Sequence, residues 1–332
     1  MRARRVTRST LVPVLLAAFA AGAAAQNVND PALVAALKAH REPEVQQLAF
    51  HRLDLDPADA DGWAAVVRLA RSTSDAATRS ALRKRVDACV GAQPQLAVCR
   101  YGAGILTLQD TGGLGLAVRG GRIREALGKA LEIDPLFFPA RAALVQFHLD
   151  AGRLAGGSVD KARELASALA DRQPDHARYL QALVAEHDGH QDEEAALLAE
   201  VHPGADEELS EGLEAAWTRL AAWWMDHRHP ERAREVYERA AKARPTDSAP
   251  RLDVVRAAVA MKDFDGAAAV LDSMARFPDR HALALDYRLG QVWQAKGDLG
   301  RARAAYLRFI ASPAQKDPAL VEDARSQLGA LH

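Results

Sequence analysis

The chain has 332 residues, 49% of them hydrophobic but only 5% aromatic. Alanine, the best helix former, supplies much of the apolar content, whereas strands favour aromatic and β-branched residues, so the composition argues against a β-sandwich, a barrel or a parallel-sheet enzyme. The 43 Lys and Arg balance 44 Asp and Glu to a net charge of -1, at 26% charged residues; this offers no basic field for nucleic acid, and wholesale disorder is excluded by so much apolar sequence.

In chain order, residues 1–25 read as an export signal. Arg2, Arg4, Arg5 and Arg8 make a basic start with no acid, and Leu11 to Ala25 is nearly continuous apolar sequence ending in Ala23-Ala24-Ala25. An apolar run of about fifteen residues is short of the roughly twenty that span a bilayer, so cleavage after Ala25 is expected, with a membrane anchor as the alternative. No later segment is long and apolar enough to span. The mature chain is therefore expected to be periplasmic or secreted, with no stable membrane insertion after signal cleavage. Residues 26–56 are expected to form N-terminal helices of divergent pattern.

Cys89 and Cys99 are the only cysteines, with Gly91 and Pro94 between them. That interval reads as the turn between two helices, placing one thiol at a helix end and the other at the next helix start. An oxidising compartment would join such a pair in a disulfide. Two buried free thiols are the other reading.

Prolines 57, 94, 135, 174, 245, 278 and 313 recur mostly at intervals of 33 to 41 residues. Between them lie paired amphipathic stretches joined by short turns: Gly152-Arg153, Gly189-His190, Lys262-Asp263 and Gly297-Asp298. In the unit starting at Glu214, Ala221 is the small residue of the first helix and Trp224 its aromatic. Ala233, Tyr237 and Ala240 follow on the second helix, and Pro245 ends the unit. The unit from Ser248 repeats this with Ala267 and Leu271, and the one from Leu283 with Gly290, Trp293, Ala302 and Tyr306. This pattern resembles the tetratricopeptide repeat. The resemblance implies an all-α, right-handed superhelical solenoid of about seven antiparallel helical hairpins over residues 57–316. Residues 317–332 would add a C-terminal capping helix, with Asp317 as N-cap and Pro318 as first helical residue.

The resemblance further implies a non-catalytic scaffold that binds a protein or peptide partner in its concave groove and needs no cofactor. By the family's geometry Thr218, Met225, Asp226, Arg256, Tyr287, Gln291 and Gln294 face that groove, although Met225 and Tyr287 suit the core equally. Trp217, Trp223, Trp224 and Tyr237 fit core packing better than a ligand cage.

Two stretches depart from the repeat. Asp110 to Gly121 is expected to be a glycine-rich loop insertion, with the following helix starting near Arg122. A shorter insertion occupies residues 153–158. Both interrupt the turn inside a hairpin in successive units, so they should be neighbours along one edge. Arg119, Arg122, Arg153 and Lys161 would offer that edge positive charge, and Ser158 suits an N-cap whose free amides attract anions. The edge is then either a binding surface, presented to the partner together with the concave groove, or merely covering loops. An alternative function follows from the first reading: a small-molecule or anion carrier, or a transporter accessory subunit, binding there. Residues 95–175, with Gly156-Gly157-Ser158 before Lys161-Ala162, resemble helical subunits accompanying TRAP-type transporters. Gly113-Leu114-Gly115 lacks the preceding strand and the lysine-serine follow-up of a phosphate loop.

Catalytic chemistry finds little support. His187, His190 and His202 lack an acidic or cysteine ligand at diagnostic spacing, as do His227 and His229, so no metal is expected. No HExxH or GxSxG motif occurs. The acids Asp192-Glu193-Glu194 and Asp206-Glu207-Glu208 sit where helices start, and there they complement the helix dipole.

Overall fold

A computed structural model describes residues 28–111, 113–245, 247–277, 283–313 and 317–331; the expected signal sequence and its cleavage site at Ala25 lie outside them. The chain divides into two compact units, residues 1–213 and 214–332. Among the described residues all regular structure is helical, as the composition requires. The first unit contains α1 (Pro31–Lys38), α2 (Glu42–Leu55), α3 (Ala60–Ser72), α4 (Ala76–Ala92) and α5 (Ala97–Gln109). It continues with α6 (Gly113–Ile133), α7 (Phe138–Asp150), α8 (Val159–Ser167), α9 (Pro174–Asp188) and α10 (Gln191–Ala199). Helix α11 (Glu207–Asp226) gives residues 207–213 to the first unit and the rest to the second. The second unit then holds α12 (Pro230–Ala243), α13 (Ala249–Ala260), α14 (Phe264–Ser273), α15 (Leu285–Lys296), α16 (Leu299–Ala311) and the terminal α17 (Pro318–Ala330).

One turn design recurs within these hairpins. Gly189, Arg228, Lys262 and Gly297 all take positive φ. The amide of the next residue reaches back in each case: His190 to the carbonyl of Ala185, His229 to Trp224, Asp263 to Ala258 and Asp298 to Trp293, at 2.8 to 2.9 Å. This is the six-to-one bond of a left-handed helix C-cap, which satisfies an orphan carbonyl and reverses the chain. Asp263 and Asp298 then cap the following helix through the amides of Gly266 and Arg301. His40 has positive φ as well, and Arg41 donates to the Ala36 carbonyl at 3.0 Å. The divergent N-terminal pair α1–α2 therefore turns in the same way as the regular hairpins.

The repeat positions behave as their spacing predicts. Ala233, Ala267 and Ala302 are fully buried, and so are Tyr237, Leu271 and Tyr306 four residues on. Gly290 shows why a small residue is needed opposite: a Cβ there would meet the Tyr306 ring at 2.5 Å. Asp317 accepts from the amides of Ala319 and Leu320, with Pro318 opening α17 as expected. Cys89 near the end of α4 is joined to Cys99 in the first turns of α5 by a disulfide, with 5.8 Å between their Cα atoms.

The expected loop from Asp110 to Gly121 is not a loop. Helix α6 starts at Gly113, well before Arg122, and runs for 21 residues. Each glycine inside a helix costs about 1 kcal/mol relative to alanine. Helix α6 nevertheless buries Ile123 and Leu127 completely, and Gly120 sits so close to the Ala155 carbonyl that a Cβ would overlap it. Tertiary packing thus overrides local propensity. The second insertion is ordered too. Arg153–Ala155 form a short 3-10 turn, Gly156 takes φ of 87°, and Gly157 packs against the Ala151 carbonyl.

At the N-terminal end Arg52 gathers three carboxylates. Its guanidinium donates to Asp59 twice at 2.8 Å and to Asp30 at 2.8 Å, with Asp61 at 3.6 Å. Asp30 and Asp59 are also the N-caps of α1 and α3. The Arg52 hydrogen bond outweighs partial burial and holds the Asp59 carboxyl below its ordinary range. Arg52→Ala should therefore cost about 1 kcal/mol at neutral pH. A depressed carboxyl stabilises the fold above its unfolded pKa and ceases to do so as pH falls through the folded one. Urea titrations of the two proteins should consequently converge at acid pH, below about 4.

Candidate functional site

The first unit contains a chamber of about 270 Å³ lined by the first helices of successive hairpins, α3, α5, α7 and α9, and by the start of α11. Its apolar wall includes Ile105 and Leu108 from α5, Phe147 from α7 and Leu183 from α9. Tyr101 and Tyr179 add aromatic faces, and Tyr101 and Phe147 are almost wholly buried. The chamber also holds an ion pair: Arg71 Nη1 donates to Glu208 Oε1 at 2.7 Å. The Arg71 side chain is 46% exposed, that of Glu208 only 16%. Beside it Arg68 pairs with Glu211 at 2.7 Å and Glu207 at 3.3 Å. Three acids in the first turn and a half of α11 thus dock on α3, more than 130 residues earlier.

Local chemistry fixes this helix start. Asp206 accepts from the Leu209 amide at 2.9 Å, and its other oxygen meets His176 Nε2 at 3.0 Å. Burial raises the Asp206 carboxyl, but the His176 hydrogen bond and the Leu209 amide together bring it below its usual range. The His176 ring packs edge-on against Phe138 of α7. Gly212 lets α11 approach Tyr179, whose hydroxyl would lie 2.8 Å from a Cβ there. Burial pushes the Glu208 carboxyl above its ordinary range, and Arg71 only partly opposes this. Burial likewise raises the Tyr101 hydroxyl, so it keeps its proton at neutral pH. Sequence reasoning missed this constellation. Asp206-Glu207-Glu208 read as dipole-complementing acids, and a single sequence carries no sign that α3 supplies their arginines.

The expected groove residues lie in the second unit and differ in availability. Thr218 and Asp226 are exposed on α11, with the Thr218 hydroxyl donating to the Glu214 carbonyl. Met225 is half-buried beside them. Arg256 is exposed on α13, donates to the Tyr237 hydroxyl at 2.7 Å and pairs with Asp253 at 3.2 Å. Tyr287, Gln291 and Gln294 on α15 instead enter a polar network with α17. Tyr287 donates to Asp323 at 2.6 Å, Gln291 donates to the Tyr287 hydroxyl at 3.1 Å, and Gln294 donates to Gln327 at 3.0 Å. The Tyr306 hydroxyl completes it by donating to Gln294 at 2.8 Å. Burial, with Asp323 adding to it, pushes the Tyr287 hydroxyl up to about 12. Both tyrosines therefore remain donors at neutral pH. Gln291 is the member of this set that stays exposed.

Trp217 and Trp224 are buried, whereas Trp223 is half-buried and stacks on His227 with 3.7 Å between ring centroids. At the glycine-rich edge, Arg119 turns back to donate to the Asp110 carbonyl at 2.9 Å. Ser158 caps α8 by accepting from the Lys161 amide, and the Lys161 ammonium pairs with Glu164 at 2.6 Å. Arg122 and Arg153 are exposed. The two glycine-rich stretches are neighbours: Gly120 abuts Ala155, and Arg124 donates to the Gly156 carbonyl at 2.7 Å. Val118 and Leu154 stand out of this region at 83% and 97% exposure. Among the described residues no three His, Cys, Asp or Glu side chains converge as a metal site. No helix among them is long and apolar enough to cross a membrane.

Residues 225–280 match the family model described as tetratricopeptide repeat. No curated protein matches the sequence. Among solved structures, the APC/C hetero-tetramer Cut9-Hcn1 is similar at 16% identity and a TM-score of 0.46, covering 86% of this chain and 52% of that one. This chain thus spans about half the length of that relative. The Pseudomonas aeruginosa pilF structure is similar at 17% identity and a TM-score of 0.39, covering 70% of this chain and 98% of that one. A tetratricopeptide repeat protein from Parabacteroides merdae is similar at 10% identity and a TM-score of 0.33, covering 90% and 95%. The matched segment contains α12, α13 and α14, with their left-handed turns at Arg228 and Lys262, and over residues 225–280 the chain matches the tetratricopeptide repeat.

Proposed function

We propose that this chain is an exported, non-catalytic tetratricopeptide-repeat scaffold that binds a protein or peptide partner. The observation that carries the reading is the repeat match over residues 225–280 together with the polar side chains exposed in and beside it. Asp226 and Arg256 within the match, Thr218 before it on α11 and Gln291 after it on α15 are solvent-facing, a surface suited to an extended segment or a partner helix. Export is supported by the basic and apolar residues 1–25 and by the Cys89–Cys99 bond. Crosslinking in the native host, followed by identification of co-purified proteins, tests the scaffold. Arg256→Ala combined with Gln291→Ala should abolish partner recovery while the protein stays folded, at a cost of about 1 to 2 kcal/mol for the lost hydrogen bonds to Tyr237 and Tyr287. Recovery unchanged by that pair would reject the groove.

A second reading, the small-molecule or anion carrier at the glycine-rich edge, draws on exposed Arg122 and Arg153. Converting Arg122 and Arg153 to alanine should then abolish function while the groove variant retains it.

A further inference from the structure

We infer that the chamber of the first unit is a binding site for a carboxylate carried on a compact apolar body, and that Glu208 fills the carboxylate position when no ligand is present. This goes beyond the partner-binding reading and does not rest on it. The cation is already in place and already holds a carboxylate. A guanidinium is built to take both oxygens of a carboxylate through parallel N–H donors, yet Glu208 accepts only from Nη1, at 2.7 Å. The Arg71 side chain is 46% exposed, so an incoming acid can reach it. Tyr101, against the same guanidinium, supplies a hydroxyl that burial keeps protonated and therefore able to donate.

Glu208 is a poor permanent occupant. Its side chain is only 16% exposed, and burial raises its proton affinity even with Arg71 opposite. A carboxylate that loses hydration on binding and recovers it on release is an exchangeable one. The rest of the chamber fixes the kind of ligand. Ile105, Phe147 and Leu183 face it with apolar surface, and Gln146 and Asp150 stand on the same wall with Gln146 donating to the Asp150 carboxylate at 2.8 Å; the apolar face suits a hydrocarbon body, and Asp150 disfavours a multiply charged phosphate. The volume of about 270 Å³ lies at the small end of ligand sites, so the body is an aromatic ring or a short branched chain. A free acid and the C-terminal carboxylate of a peptide ending in an apolar residue share this chemistry.

The test is calorimetric titration of the whole mature chain with 3-phenylpropionate and 4-methylpentanoate, each beside its primary amide. A second arm uses a tripeptide ending in phenylalanine, with a free or an amidated C-terminus. The acids should bind and the amides should not. Glu208→Gln preserves the shape of the occupant but frees Arg71 from its competitor, and should tighten acid binding by about tenfold or more, as for a hydrogen bond to a charged group. Arg71→Gln should abolish binding. If that variant fails to fold, Tyr101→Phe, which removes only a hydroxyl, should still weaken binding severalfold. Binding of the free acids assigns the site to small molecules, and binding of the free-carboxyl peptide alone assigns it to a partner's C-terminus. Equal binding of acids and amides, or no binding of any probe by both wild type and Glu208→Gln, would overturn the inference.

Discussion

Gly157→Ala should destabilise the first unit by about 2 to 3 kcal/mol, the upper part of the roughly 1 to 3 kcal/mol range for forcing extra atoms into a close-packed site. A Cβ at this position would overlap the Ala151 carbonyl carbon and oxygen, and the His148 carbonyl lies 3.2 Å away. These are backbone atoms, so no rotamer change relieves the clash. The segment cannot shift freely either. The Gly157 amide donates to the Gly152 carbonyl at 3.2 Å, and the Ser158 amide to that of His148 at 3.1 Å. Gly152→Ala provides the control. That glycine has negative φ and extended ψ, with nothing within 4 Å of a Cβ, so alanine should be neutral or slightly stabilising by about 0.5 kcal/mol through the unfolded chain. Gly120→Ala, which drives a methyl into the Ala155 carbonyl from α6, should resemble Gly157→Ala. Urea unfolding followed by circular dichroism measures all three, and a Gly157→Ala midpoint equal to wild type would refute the close approach.

These glycines show what a sequence can and cannot convey. Periodicity exposed the second unit because its signals are local: Ala233 and Tyr237 share one helix, and Gly290 and Tyr306 belong to one hairpin. The run from Gly112 to Gly121 carries the opposite local signal, since glycine disfavours helix, and so it read as a loop. What the local signal does not carry is the close approach of Gly120 to the turn at Ala155, 35 residues later, and the burial of Ile123 and Leu127 further along the same helix. The chamber was illegible for the same reason. Arg71 and Glu208 are each ordinary helix residues, and only the fold brings them to 2.7 Å. Position alone places Tyr287 and Gln294 on the first helix of their hairpin and carries no hint that Asp323 and Gln327 of α17 engage them.

The Cys89–Cys99 bond should contribute about 3 kcal/mol, the chain-entropy value for a short closed loop. The sequence separation is 10 residues, and both cysteines are buried, at 6% and 0% exposure. Most of this stabilisation acts on the unfolded chain, which without the bond regains the freedom of the 89–99 segment. Cys89→Ala/Cys99→Ala should thus match the reduced wild type, with a Tm lowered by several degrees, roughly 2 to 4 °C per kcal/mol at this size. Reduction should be slow under native conditions, because attack on a buried sulfur waits for local opening, and should accelerate in mild denaturant. The bond also bears on the chamber. Tyr101 follows Cys99 by two residues on α5, and Ile105 lies one turn further, so the disulfide anchors the helix start that presents both side chains to it. Reduced protein should therefore lose affinity for an apolar acid before it loses helix content. Equal melting temperatures with and without reductant, with two thiols titrating in the unreduced native protein, would remove both the bond and its coupling to the chamber.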